Sequence, residues 1–130
     1  MPPNSVVPGT PEDWLRHAAS DLALASQTPS PGVLYEMLCY HAQQAAEKSL
    51  KAVLVSRGVE FPYTHDIARL VTVVQSAEIA WRKDLDDAVE LTEYAIQFRY
   101  PGATRELTKA DLDKAVEIAT RLFAWAQAAV

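Results

Sequence analysis

The sequence predicts an all-α protein: about five helices, packed as an up-and-down four-helix bundle with one shorter helix added. Three observations lead there. Apolar residues recur at three- and four-residue spacing through each long segment. Clusters of Pro and Gly part those segments and leave short connections, which favour antiparallel neighbours. No segment alternates apolar and polar residues as a half-buried strand would. With 130 residues and 49% hydrophobic content, the chain makes one domain able to bury a core without metal or disulfide.

Residues 1–9 hold three of the eight prolines and read as a loose tail ahead of a single domain at 10–130. Thr10-Pro-Glu-Asp13 opens the first helix, with Thr10 as cap, Pro11 at the first helical position and acids at the positive end of the dipole. This helix runs from about Pro11 to Gln27, with Trp14, Ala18, Leu22 and Ala25 on one face. Thr28-Pro-Ser-Pro-Gly32 breaks the chain. The second helix runs from about Val33 to Arg57 and stops at Gly58. It carries two faces. Leu38, Cys39, Ala42, Ala46, Leu50 and Val53 form an apolar stripe, and His41, Gln44 and Lys48 line up beside it about one turn apart.

Val59 to Tyr63 is too short and too Pro-broken for a central strand and reads as a loop with apolar plugs. Thr64 caps a third helix through about Gln75, with Ile67, Leu70, Val71 and Val74 inward. A fourth, acidic helix spans about Ala80 to Phe98, its charge forming a solvated outer face. Arg99-Tyr-Pro-Gly102 ends it. Thr108-Lys-Ala-Asp111 resembles a capping box and starts the fifth helix. There Leu112, Ala115, Val116, Ala119, Leu122, Phe123 and Ala126 turn inward.

A net charge of −5 does not attract nucleic acid or an anionic membrane broadly, so any polyanion must be bound at a local site. The single cysteine, Cys39, lies in an apolar stripe and reads as a buried small hydrophobe. No run of about 18 apolar residues predicts a membrane helix. The N-terminus lacks the charged and apolar regions of a signal peptide, which makes the cytoplasm the expected compartment. There is no Gly-rich phosphate loop, no His-x-x-x-His and no Glu-x-x-His pair, and no metal or cofactor is expected.

What remains is a set of polar groups that can converge on a phosphate: His41, Gln44, Lys48 and Lys51 on the second helix, His65 and Asp66 at the start of the third, and Arg99 and Tyr100 at the end of the fourth. Histidine carries a proton near neutral pH, arginine presents a planar fork to phosphate, and the start of a helix offers free N–H groups. Each group also has a plain structural reading. His65 can bond locally, Lys48 and Lys51 can pair with Glu47, Gln43 and Gln44 can be surface glutamines, and Arg99 can cap its helix.

The run Tyr40-His-Ala-Gln-Gln-Ala-Ala-Glu-Lys-Ser-Leu-Lys-Ala52, then Thr64-His-Asp66, then Arg99-Tyr-Pro101, resembles the HEPN domain in order and spacing, from about Trp14 to Trp125. The resemblance implies a four- to five-helix bundle, usually a homodimer, with a cleft at or near the dimer interface that engages nucleotide or RNA. It also implies a minimal nucleotidyltransferase as partner, in a toxin–antitoxin or related module. Many members are metal-independent ribonucleases whose pattern is an arginine, then four to six residues, then a histidine. Here no histidine follows Arg99. Losing that acid–base group removes a factor of roughly 10²–10⁴, so the expectation is a binder rather than an enzyme. The alternatives are a ribonuclease using Arg99 with His41 or His65, should dimer geometry join them, and a purely structural dimerisation module. Leu34, Met37 and Val55 are candidates for a second apolar seam.

Overall fold

The computed structural model describes residues 9–100, 102 and 105–130. They form α1 (Pro11–Ser26), α2 (Tyr35–Ser56), α3 (Ile67–Ser76), a 3₁₀ segment (Lys83–Leu91), α4 (Thr92–Arg99) and α5 (Lys109–Ala129). No strand occurs among the described residues. The all-α bundle expected from the spacing is what forms. The expected tail lies, apart from Gly9, outside the described residues, as does Pro101.

The longest helix, α2, lies at the centre and packs on α1, α3, α4 and α5. Its stripe of Ala42, Ala46, Leu50 and Val53 is buried, and Ala45, Ala52 and Leu54 are buried with it. Alanines at these positions let neighbouring helices approach closely on several sides. Ile67, Leu70, Val71 and Val74 of α3 all turn inward, as their spacing predicts. On α5, Leu112, Ala115, Ala119, Leu122 and Ala126 are buried. Phe123 is only half-buried, and Ile118 and Trp125 take core places instead. Cys39 is fully buried, and burial pushes its thiol up to about 12. No described helix is long and apolar enough to cross a membrane.

Both capping boxes form. Thr10 Oγ1 accepts from Asp13 N while Asp13 accepts from Thr10 N, and Thr108 and Asp111 repeat the exchange. α2 ends as Gly58 predicts, with Gly58 at φ +67, Val59 N donating to Leu54 O and Gly58 N to Val55 O. α3 ends in the same paired bonds, Ile79 N to Val74 O and Glu78 N to Gln75 O, but here a glutamate takes the left-handed position at φ +60.

Two element predictions need correction. Thr64 does not cap α3. Asp66 does, accepting from Ala68 N at 3.0 Å, while Thr64 Oγ1 accepts from Asp66 N one step earlier. The expected fourth α-helix is a continuous rod that begins at Lys83 as 3₁₀ and becomes α at Thr92. Leu85, Ala88 and Leu91 are the buried residues of its first part. Their spacing of three matches three residues per turn, so the tighter helix keeps all of them on the core. Arg121 of α5 holds this part down, donating to Asp84 O at 2.7 Å and to Asp87 Oδ2 at 2.6 Å.

Candidate functional site

The polar residues of α2 divide into two groups with different neighbours. On one side stand His41 and Lys48, and between them lies Asp21 of α1. His41 Nδ1 donates to Asp21 Oδ1 at 2.9 Å, and Lys48 Nζ donates to Asp21 Oδ2 at 2.6 Å. Asp21 is buried, so both of its oxygens are satisfied by α2 and the two helices are stapled together.

The second group is centred on Glu47, another buried carboxylate. Lys51, one turn on, donates to Glu47 Oε2 at 2.9 Å. Gln43, one turn back, donates to Oε1 at 3.1 Å and to the carbonyl of His65 at 3.2 Å. Gln44 donates to Gln43 Oε1 at 2.8 Å. His65 Nδ1 lies 2.9 Å from Glu47 Oε1. Burial pushes the Glu47 carboxyl up, but the charge of Lys51 and the bonds from Lys51, His65 and Gln43 outweigh it and hold the group below the ordinary glutamate range. Three aromatic rings surround the Lys51 ammonium, with centroids at 5.6 Å for Trp14, 5.8 Å for Phe61 and 5.9 Å for Tyr63.

The chain of contacts continues to the surface. Arg99 Nη2 lies 2.9 Å from His65 Nε2. A guanidinium only donates, so His65 accepts on Nε2 and carries its proton on Nδ1, where it donates to Glu47. One line of hydrogen bonds thus runs from buried Lys51 through Glu47 and His65 to exposed Arg99. The fold sets the ends of this line in register. Thr92, the first residue of α4, accepts on Oγ1 from Ile67 N at 3.1 Å, two residues after His65.

The predicted site residues therefore fare differently. His65 and Arg99 are brought together within one chain, so no second copy is needed to join them. Lys51 and Gln44 are buried and turned inward, because Glu47 and Gln43 need their protons. Lys48 is half-buried and spent on Asp21. Asp66 is a cap. The start of α3 is closed to an anion at two positions, since Ile67 N and Ala68 N already donate to Thr92 and Asp66. Tyr100 is exposed directly after Arg99. Gln43, read as a surface glutamine, is wholly buried.

Sequence reading passed over Asp21 and named Glu47 only as a partner for Lys48 or Lys51, of which Lys51 is the one it holds. Each had a signal. Asp21 is an acid three residues after Ala18 and four before Ala25, inside an apolar stripe. Glu47 is the middle of a Gln43–Glu47–Lys51 row at one-turn spacing, flanked by Ala45, Ala46 and Leu50. Among the described residues no three His, Cys, Asp or Glu side chains gather as metal ligands.

These features fit what the chain is similar to. The family model of the HEPN domain matches residues 11–129. A solved structure, that of ST0689, an archaeal HEPN homologue, superposes with a TM-score of 0.73 at 30% sequence identity, covering 92% of this chain and 97% of that one. No functionally curated protein matches. The family model spans all five α-helices and both halves of the Glu47–His65–Arg99 line, and the chain belongs to the HEPN family.

Proposed function

We propose that this protein binds the phosphate of a nucleotide or of an RNA at the His65–Arg99 pair, and that it does so as a homodimer alongside a minimal nucleotidyltransferase. The contact between Arg99 and His65, backed by Glu47 and Lys51, carries the reading. Arg99 is exposed, always charged and oriented by a single neutral acceptor, so a phosphate oxygen can replace His65 as its partner at little cost. A released His65, still bonded to Glu47, can then face the same phosphate. The homodimer is supported by exposed apolar side chains: Leu34 and Met37 before and at the start of α2, and Ile96 and Phe98 on α4. Phe98 stacks on Tyr40 of α2 at 4.0 Å, which fixes one edge of that surface. Val55 is half-buried near the far end of α2 and does not join it. The nucleotidyltransferase partner rests on the family alone.

Calorimetry with ATP, ADP and short RNAs tests the binding. Arg99→Ala is expected to weaken it tenfold or more. Lys48→Ala, whose ammonium is engaged by Asp21, is expected to change it little. No binding by the wild type would end this reading.

One observation also favours a second reading, a metal-independent ribonuclease. A carboxylate holds Nδ1 of His65 and leaves Nε2, the nitrogen beside Arg99, as the proton acceptor. That arrangement supplies a general base next to a cation that can stabilise a phosphorane-like charge. RNA cleavage in EDTA, abolished by His65→Ala and kept by His41→Ala, is the expected result. Cleavage surviving in His65→Ala would remove the assignment.

A further inference from the structure

We propose that Tyr63 is the stacking platform for a nucleobase, so that the site takes a nucleotide or a single-stranded RNA end in preference to a base-free phosphate. The inference rests on the phosphate reading of His65 and Arg99.

Tyr63 is 93% exposed, the highest value among the exposed large hydrophobic side chains of the described residues. The core gains almost nothing from it. Yet it stands beside two members of the hydrogen-bonded line. Its ring centroid lies 6.0 Å from the imidazole of His65, at an interplanar angle of 67°, and 5.9 Å from the buried ammonium of Lys51. The chain that follows it is bound, since Thr64 accepts from Asp66 N and the His65 carbonyl accepts from Gln43. A ring beside the imidazole, with most of its surface in water, is free to accept a second flat π-system. Base stacking on an aromatic side chain needs only that open face and is indifferent to base identity. The 6.0 Å between the Tyr63 ring and the His65 imidazole is short enough for one nucleotide to span from the one to the other. The chain's net charge of −5 gives a further reason for such a contact. With a single exposed arginine at the pair, stacking supplies affinity that a broad positive field would give elsewhere.

The test compares AMP with ribose 5-phosphate, and a 5′-phosphorylated RNA tetranucleotide with its counterpart lacking the first base, by calorimetry on full-length wild type, Tyr63→Leu, Tyr63→Trp and Tyr100→Leu. The expected result is tighter binding of each base-bearing ligand by the wild type, weakened about tenfold in Tyr63→Leu, with the base-free ligands unchanged and Tyr63→Trp close to wild type. Retention for AMP with loss for the tetranucleotide still supports stacking and assigns the RNA end as the ligand. Equal affinity of the wild type for base-bearing and base-free ligands would overturn the stacking role and leave the phosphate site standing. So would a loss in Tyr100→Leu with none in Tyr63→Leu. No binding of any ligand would overturn both readings together. Because Tyr63 is exposed, thermal melting of its variants is expected to match the wild type.

Discussion

At the scale of single residues, charge balance in the interior decides what the surface can do. Lys51 and Glu47 are both buried, and each is the other's counter-ion. Removing one leaves a buried charge without its partner, which typically costs about 3–5 kcal/mol. Lys51→Met is therefore expected to destabilise the protein by roughly that amount in urea denaturation, and Glu47→Gln combined with Lys51→Met to cost less than the single change. A double variant that loses as much as Lys51→Met and Glu47→Gln summed would show that the pair is not coupled. Cys39 gives a second residue-level expectation. With its thiol buried and pushed up to about 12, it should react with a thiol reagent at neutral pH only as fast as the protein opens. Rapid labelling of the native protein would contradict the burial. Much of this scale was legible in the sequence. Cys39 and the inward face of α3 follow from spacing alone, as does most of that of α5. The partnership of His65 with Arg99 was not, because 34 residues separate them and no local rule fixes so distant a pair.

Among the elements, helix ends and the 3₁₀ segment carry the expectations. Thr108 closes α5 through a capping box, and Thr108→Ala should cost about 1 kcal/mol. Glu78 occupies at α3 the position that Gly58 occupies at α2. A left-handed L-residue is strained by roughly 1–2 kcal/mol, part of which glycine returns to the flexible unfolded chain. Glu78→Gly is thus expected to raise stability by about 0.5–1 kcal/mol, and a lower melting temperature would show that the glutamate side chain compensates for its backbone. The 3₁₀ segment was hidden from a reading by period alone. Leu85, Ala88 and Leu91 satisfy an α-helical three-residue spacing as well as a 3₁₀ one. A residue distant in sequence ties it to the bundle: Arg121 on α5 bonds a backbone carbonyl and a carboxylate of that segment. In Arg121→Ala, hydrogen exchange is expected to quicken across residues 83–91 and little elsewhere.

For the molecule as a whole, pH and self-association are the accessible readouts. Glu47 is held low as described above. Asp111 is held well below the carboxylate range, first by its bond from Arg105 and then by the Thr108 backbone, and Asp84 is held low by Arg82. A carboxyl whose folded value is depressed lends stability that is complete above its unfolded value, about 4, and is lost as pH falls through the folded one. Cys39 works in the opposite direction, being raised in the fold, so its contribution is complete below its ordinary value of 9.0 and lost as pH rises above it. Denaturant stability should accordingly fall on the acid side below about pH 4, with Asp111→Asn shallower than wild type there. It should fall on the alkaline side above pH 9.0, with Cys39→Ala shallower there. Light scattering addresses the exposed apolar side chains on α2 and α4. Ile96→Glu is expected to turn a dimer into a monomer without loss of helicity, and a wild type that is monomeric at micromolar concentration would dismiss the interface.

The hydrogen bond from Ile67 N to Thr92 Oγ1 has a reach beyond its own two residues. Thr92 opens the short helix that ends at Arg99, and from its hydroxyl to the guanidinium the helix rises about 10 Å. Ile67 opens the helix that His65 precedes. A single hydroxyl thus acts as a gauge pin between the starts of two helices, with His65 two residues from it on one side and Arg99 a helix length away on the other. Slack at the pin is magnified along the lever. A methyl in its place would leave the core filled and the bundle intact, yet the imidazole and the guanidinium would drift out of alignment, and a lesion in recognition would arise from a residue that touches nothing recognised.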